Sequence, residues 1–185
     1  VVAYVVFLFA LSSRSEPVVA RIAGLGREVP AVVAPRAAPS PVRVGLADLL
    51  ASEIREGLMQ VQDLDGRSVV TLWELFPVGE AQIRPERRAT LSSLAQALQQ
   101  FPGAITVTGH TDDVPIRTLR FPSNWKLSEL RAESVSRELA SVLPQGRLRT
   151  EGRADSQPLQ PNDSEANRAI NRRVEVTLIP DGPAL

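Results

Sequence analysis

The sequence predicts a two-layer α/β sandwich, with helices on one face of a sheet, tethered behind part of a membrane helix. Three observations predict it. Short alternating strands, AITVT at 104–108 and VEVTLI at 174–179, interleave with leucine stripes at helical spacing, Leu91/Leu94/Leu98 and Leu127/Leu130/Val135/Leu139. That interleaving is what helices packed on a sheet require. An apolar run at Val1–Leu11 is then set apart from the rest by a stretch rich in proline.

With 185 residues, the chain has room for one domain and an appendage. Twenty-one basic residues balance 21 acidic ones, so no positive field argues for nucleic acid or anionic lipid. Cysteine is absent, which excludes disulfides and thiolate metal sites.

Each element follows in order. VVAYVVFLFAL at 1–11 is shorter than the roughly 20 residues of a full span and has no charged region before it, so 1–13 is expected to be the end of a transmembrane helix. Residues 14–44 form a linker, with a short helical stripe (Val18, Val19, Ile22, Leu25) and then Pro30, Pro35, Pro39 and Pro41, a semi-rigid spacer. From Gly45 the stripe Leu46, Leu49, Leu50, Ile54 and Leu58 predicts one amphipathic helix. MQVQ, Asp65-Gly66 and SVVTLWEL predict a hairpin, its first strand within 45–66. The domain proper is expected over 67–180, with a tail at 181–185. Within it, Pro85 opens a helix striped by Leu91, Leu94, Leu98 and Phe101, and Pro102-Gly103 stops it. Strand 104–108 runs into Gly109-His110-Thr111-Asp112, and Ser123 caps the next helix. A strand at 147–152, a polar loop at 154–171 that is partly helical near Glu165, and strand 174–179 complete the order β-α-β-α-β-loop-β.

The chemistry points to binding. His110 is the only histidine, and no G-x-S-x-G elbow exposes a serine, so nucleophilic catalysis has little to work with. Its ordinary role is to hydrogen-bond its own turn. Asp112-Asp113 lacks the spaced acids of a cation loop and reads as a solvated acidic turn. Asp112 reads as an exposed acid at a strand mouth. Arg131 lies one turn after Leu127, near a helix start whose free N–H groups favour an anion. Together the two suit a ligand carrying both an ammonium and a carboxylate. On these residues alone, such a clasp and a plain Asp112–Arg131 ion pair both stay open. Arg168, Arg172 and Arg173 read as a solvated strand entrance, and Asn171 as a turn residue. Phe121 and Trp125 read as packing for the loop.

Taken together, GHTDD, NWKLSELRAESV, EGRADSQP and NRRVEV resemble the OmpA-like peptidoglycan-binding domain family over about residues 68–180. The resemblance implies a β-α-β-α-β-β domain with a mixed sheet and no enzymatic activity or cofactor. It implies that Asp112 and Arg131 clasp the diaminopimelate of peptidoglycan stem peptides, with Thr111, Asn124 and Leu127 as lining. Asp113, commonly Asn in the family, would add ammonium attraction, and Arg173 is a further candidate. Asn167-Arg168 stands where the family often has Gly-Arg.

DDVPI and FPSNWKLS resemble two membrane-anchored branches, the extended inner-membrane component of the type VI secretion system and the flagellar stator anchor. SRSEPVVARIAGL at 13–25, the proline spacer and the segment at 46–72 resemble the first. This implies peptidoglycan, the inner membrane and other secretion-complex subunits as partners. It further implies homo-oligomerisation, no nucleic acid, and a single-pass protein facing the periplasm. The alternatives are a flagellar stator anchor and a purely structural oligomerisation domain of a membrane complex.

Overall fold

The computed structural model describes residues 45–64 and 66–181. The expected membrane helix, the short helix of the linker, the proline spacer and most of the tail lie outside the described residues. Among those described, no helix is long and apolar enough to cross a membrane.

The helix expected from Gly45 is two short ones, α1 (Leu46–Leu49) and α2 (Ala51–Arg55). Leu50 leaves helical dihedrals between them (φ −108°, ψ 17°) and is fully buried. With this break Leu46 and Leu50 both lie in the core, and Leu49 and Ile54 pack against it half-buried. The Asp48 carboxylate accepts the Gly45 N–H at 2.9 Å and closes the first turn.

The hairpin is formed by β1 (Met59–Leu64) and β2 (Arg67–Trp73), antiparallel, with Leu64 opposite Arg67. Gly66 takes a φ of +76°, which a two-residue turn of this type needs. A 3₁₀ turn at Pro85–Arg87 leads into α3 (Arg88–Gln99), and proline at its start forgoes a donor that had no partner. The strand β3 (Gly103–His110) is longer than expected at both ends. Next come α4 (Asn124–Leu139), β4 (Leu148–Ala154), α5 (Glu165–Asn171) and β5 (Arg173–Pro180). The helix expected near Glu165 is therefore α5, and Ser164 caps it by accepting from the Asn167 N–H at 3.2 Å.

The sheet order is β1-β2-β5-β3-β4. Only β3 and β4 run parallel, joined by α4, so the sheet is mixed. Val70, Leu72, Ile105, Val107, Val174, Val176 and Leu178 point to one face, where Leu91, Leu94 and Leu98 of α3 and Val135 and Leu139 of α4 cover them. Each such side chain contributes about 1.5–3 kcal/mol by leaving water. Thr106, Thr108, Glu175 and Thr177 alternate to the opposite face, as the strand period requires. This is the α/β sandwich that the periodicities predict.

Candidate functional site

The site is built where α4 lies unusually close to the sheet. Gly109 of β3 and Gly152 of β4 stand side by side. A Cβ on Gly109 would fall 2.1 Å from the Ser128 carbonyl oxygen, and one on Gly152 would fall 2.7 Å from the Glu129 nitrogen. Two adjacent glycines thus seat the first half of α4 against the ends of the parallel strands. The Ser128 hydroxyl reaches across and accepts the Ala154 N–H at 3.1 Å. Ala154, held at φ +49°, in turn accepts the Thr111 N–H at 2.9 Å. The chain leaving β3 is thereby fixed just where Thr111 and Asp112 begin.

The start of α4 orients the loop after Asp112. Ser123 caps it by accepting from the Lys126 N–H at 3.3 Å. The Asn124 side chain donates to the carbonyls of Asp112 (3.3 Å) and Val114 (3.1 Å) and accepts from the Ile116 N–H (3.2 Å). Leu127 packs with Ala81 and Phe121 in a small apolar cluster under this loop. Phe121 is packing, as expected, whereas Trp125 is 55% exposed.

Asp112, Arg131, Thr111, Asn124 and Leu127 all line one cavity of about 310 Å³, together with Val78, Gly79, Glu165 and Arg172. The structure thus brings the five residues of the expected site to one cavity. Their environments differ from the expectation. Asp112 is 8% exposed, not an open acid, because the Arg172 side chain at the end of α5 lies against its carboxylate. Its ion-pair partner is Arg172 at 2.7 Å, and Arg131 forms no ion pair among the described residues. Arg172 is shared with Glu165 at 2.6 Å. Burial opposes the Arg172 charge, yet the hydrogen bonds to Asp112 and Glu165 leave its pKa above the ordinary arginine value.

Arg131 is 4% exposed. Its Nε donates to the Glu80 carbonyl at 2.8 Å and one Nη to the Pro77 carbonyl at 3.3 Å, and its guanidinium lies 5.2 Å from the Phe76 ring centre. All three partners sit on the loop that follows Glu74, a residue held at φ +56°. Burial lowers the Arg131 pKa to about 10, the Asp112 carboxylate opposes that shift, and Arg172 adds to it. The remaining Nη has no acceptor among the described residues. A buried guanidinium with a free donor and no carboxylate of its own is a place for an anion.

Two further candidates fall elsewhere. Asp113 is exposed and lines a separate open groove with Ile116, Arg117 and Leu119, because the turn after Asp112 points it away. Arg173 does not reach this cavity. It is buried, donating to Glu175 at 2.7 Å and to the Gln157 carbonyl at 3.1 Å. Arg172 and Arg173 are therefore not a solvated strand entrance. Asn171 is fully buried and makes four hydrogen bonds, to Leu159, Gln160 (twice) and Asn162, which shape the approach to α5.

His110 does not bond its own turn. It is 1% exposed and neither ring nitrogen has a hydrogen-bond partner, the Glu175 carboxylate lying 3.8 Å away. Burial first, and then Arg173, lower its pKa to about 4. Among the described residues, no group of three His, Cys, Asp or Glu is placed to hold a metal ion.

Residues 75–172 match the OmpA family. Among solved structures, the cell wall anchor of the T6SS from Pseudomonas aeruginosa is 44% identical, with a TM-score of 0.72, covering 75% of this chain and 99% of that one. A putative MotB-like protein from Desulfovibrio vulgaris is 30% identical, with a TM-score of 0.67, covering 74% and 90%. Among curated relatives, YtxE of Bacillus subtilis (strain 168) is 39% identical over 62% of this chain and 49% of its own length. Motility protein B of Escherichia coli (strain K12) is 34% identical over 68% and 40%. The matches thus span half or less of these two curated relatives.

Proposed function

Because the chain belongs to the OmpA family, we propose that it is a non-catalytic anchor that binds the diaminopimelate of peptidoglycan stem peptides and tethers a type VI secretion membrane complex to the cell wall. One observation carries the reading. Asp112 and an acceptor-free Arg131 donor line the same small cavity, and the free centre of diaminopimelate offers one ammonium and one carboxylate to match. A carboxylate has up to four acceptor positions, so Asp112 can take an ammonium beside its Val114 and Arg172 donors.

Likeness to the cell wall anchor of the T6SS, at 44% identity, supports the secretion machine over the motility one. The relatives named motility protein B and MotB support the runner-up, a flagellar stator anchor, at 30–34%. In either machine the apolar run at 1–11 serves as the membrane end of a single-pass protein with this domain in the periplasm, in the company of further complex subunits or copies of itself. A single clasp of this size is modest in affinity, and several tethered copies raise the effective strength without new contacts.

The test is co-sedimentation with purified sacculi, competed by free meso-diaminopimelate. Asp112→Asn keeps the shape and removes the charge, and is expected to weaken capture roughly ten- to a hundredfold, the worth of a charge-assisted hydrogen bond. Arg131→Lys is expected to do the same, with circular dichroism unchanged. Capture of both variants at the unmodified level rules the clasp out.

A further inference from the structure

A second cavity, of about 330 Å³, shares a wall with the first. The common wall is Arg131 and Arg172, with Val78 at its edge. On the far side Arg84, Arg87 and Arg173 join them, so five guanidinium-bearing side chains meet two carboxylates, Glu74 and Glu86. Both glutamates have largely exposed side chains, and each engages an arginine there, Glu74 with Arg87 at 3.2 Å and Glu86 with Arg84 at 3.7 Å.

Three of the five cations are already matched closely: Arg87 by Glu74, Arg172 by Asp112 and Glu165, and Arg173 by Glu175. The other two are not. Arg131 forms no ion pair among the described residues, and its free Nη is the donor noted above. Arg84 reaches Glu86 only at 3.7 Å through Nη1, and its Nε is buried with no hydrogen-bond partner. The Arg84 Nε is closed off from solvent, so an incoming oxygen meets the exposed part of the Arg84 side chain, 42% accessible, and the free Nη of Arg131. Counted with their partners, the five guanidiniums stand against five carboxylates, Glu74, Glu86, Asp112, Glu165 and Glu175, so the cavity offers open donors and not net charge, which suits a monoanion such as a carboxylate better than a phosphate dianion.

We propose that this cavity is an anion subsite for a second carboxylate of the stem peptide, distinct from the one carried by the zwitterionic centre in the clasp. The inference rests on the wall-binding reading and extends it from one amino-acid end to a stretch of peptide. Because Arg131 and Arg172 line both cavities, one peptide of two or three extended residues, roughly 7–10 Å, suits the pair of positions. Two parts of a diaminopimelate stem supply the same chemistry, the α-carboxylate of its γ-linked D-glutamate and the carboxylate of a terminal D-alanine. Arg84 and Arg87 then select peptides that keep this charge and discriminate against amidated ones.

The experiment is calorimetric titration of the 185-residue chain in detergent with defined probes. These are free meso-diaminopimelate, the tripeptide L-Ala-γ-D-Glu-meso-diaminopimelate, its form with an amidated D-glutamate, and the tetrapeptide ending in D-alanine with a free or amidated end. The free-acid peptide is expected to bind about five- to tenfold more tightly than its amide at one of the two positions, the worth of one partly screened charge-assisted contact. That position identifies the occupant. Arg84→Gln, or Arg87→Gln should the first fail to fold, is expected to erase this difference while leaving free meso-diaminopimelate unchanged. Equal binding of acid and amide at both positions overturns the subsite and leaves the clasp standing. Equal loss of every probe in Arg84→Gln also overturns it, since that result makes Arg84 a support for the clasp. No binding of meso-diaminopimelate at all overturns the wall-binding reading, and the subsite with it.

Discussion

Gly109→Ala tests whether the site depends on the close seat of α4. The added methyl would stand 2.1 Å from the Ser128 carbonyl oxygen, 2.9 Å from its carbonyl carbon and 3.3 Å from its Cα. All three are helix backbone, so no rotamer change relieves the clash. Ordinary van der Waals contact begins near 3.4 Å, and the helix must therefore shift by about 1 Å or more, or tilt away from β3. Overpacking of this kind costs typically 1–3 kcal/mol, and rigid backbone on both sides puts this case at about 3 kcal/mol. In a domain of this size that is a fall in melting temperature of roughly 10 °C. Arg131 lies one turn beyond Ser128, so the same shift moves its guanidinium relative to Asp112, and wall capture falls alongside stability. Thermal unfolding followed by circular dichroism measures the first effect, and sacculus co-sedimentation below the transition measures the second. Gly146→Ala is the control, because a Cβ there meets nothing within 4 Å. If Gly109→Ala melts within 2 °C of the parent protein, the close approach is not what positions α4.

Two further outcomes are expected. Asn171→Leu leaves the Leu159 and Gln160 N–H groups and the Gln160 carbonyl without their partner, at about 1 kcal/mol each; a melting temperature lowered by less than 3 °C contradicts this account of the approach to α5. For His110, packed among Arg173, Glu175, Arg153 and Glu151, the folded pKa of about 4 lies below the unfolded value of 6.5, so between those pH values the unfolded chain holds the extra proton and stability is lost as pH falls. The loss reaches about 3 kcal/mol at pH 4, and urea titrations at pH 7 and pH 4.5 are expected to show a clearly smaller drop in His110→Gln; equal drops would sink the assignment.

The fold was legible because its core is written in periodicities. Alternation in 104–108 and 174–179 and the leucines of α3 survive into the structure as one buried face. The broken helix at Leu50 was not legible, since α1, Leu50 and α2 together satisfy one helical stripe as well as an unbroken helix does. Within the site, the five lining residues could be placed through the resemblance, but their electrostatics could not be placed at all. The partner that closes on Asp112, Arg172, is 60 residues away in sequence. The acceptors that hold Arg131 are the main-chain carbonyls of Pro77 and Glu80, and a carbonyl has no signature in a sequence.

That difference alters what binding means here. In the sequence, Asp112 and Arg131 are two open charges waiting for a zwitterion. In the structure Asp112 already holds Arg172, and Arg131, though it feels the Asp112 charge, forms no ion pair among the described residues. A ligand ammonium must therefore share Asp112 with a resident guanidinium, while the ligand carboxylate supplies what Arg131 lacks. The two contributions are unequal. Attraction at the Asp112 end is a difference between two competing ion pairs, whereas at the Arg131 end the ligand carboxylate meets an Nη that no protein acceptor among the described residues occupies. The carboxylate is the part of the ligand that this site needs, and the ammonium is the part it discriminates by.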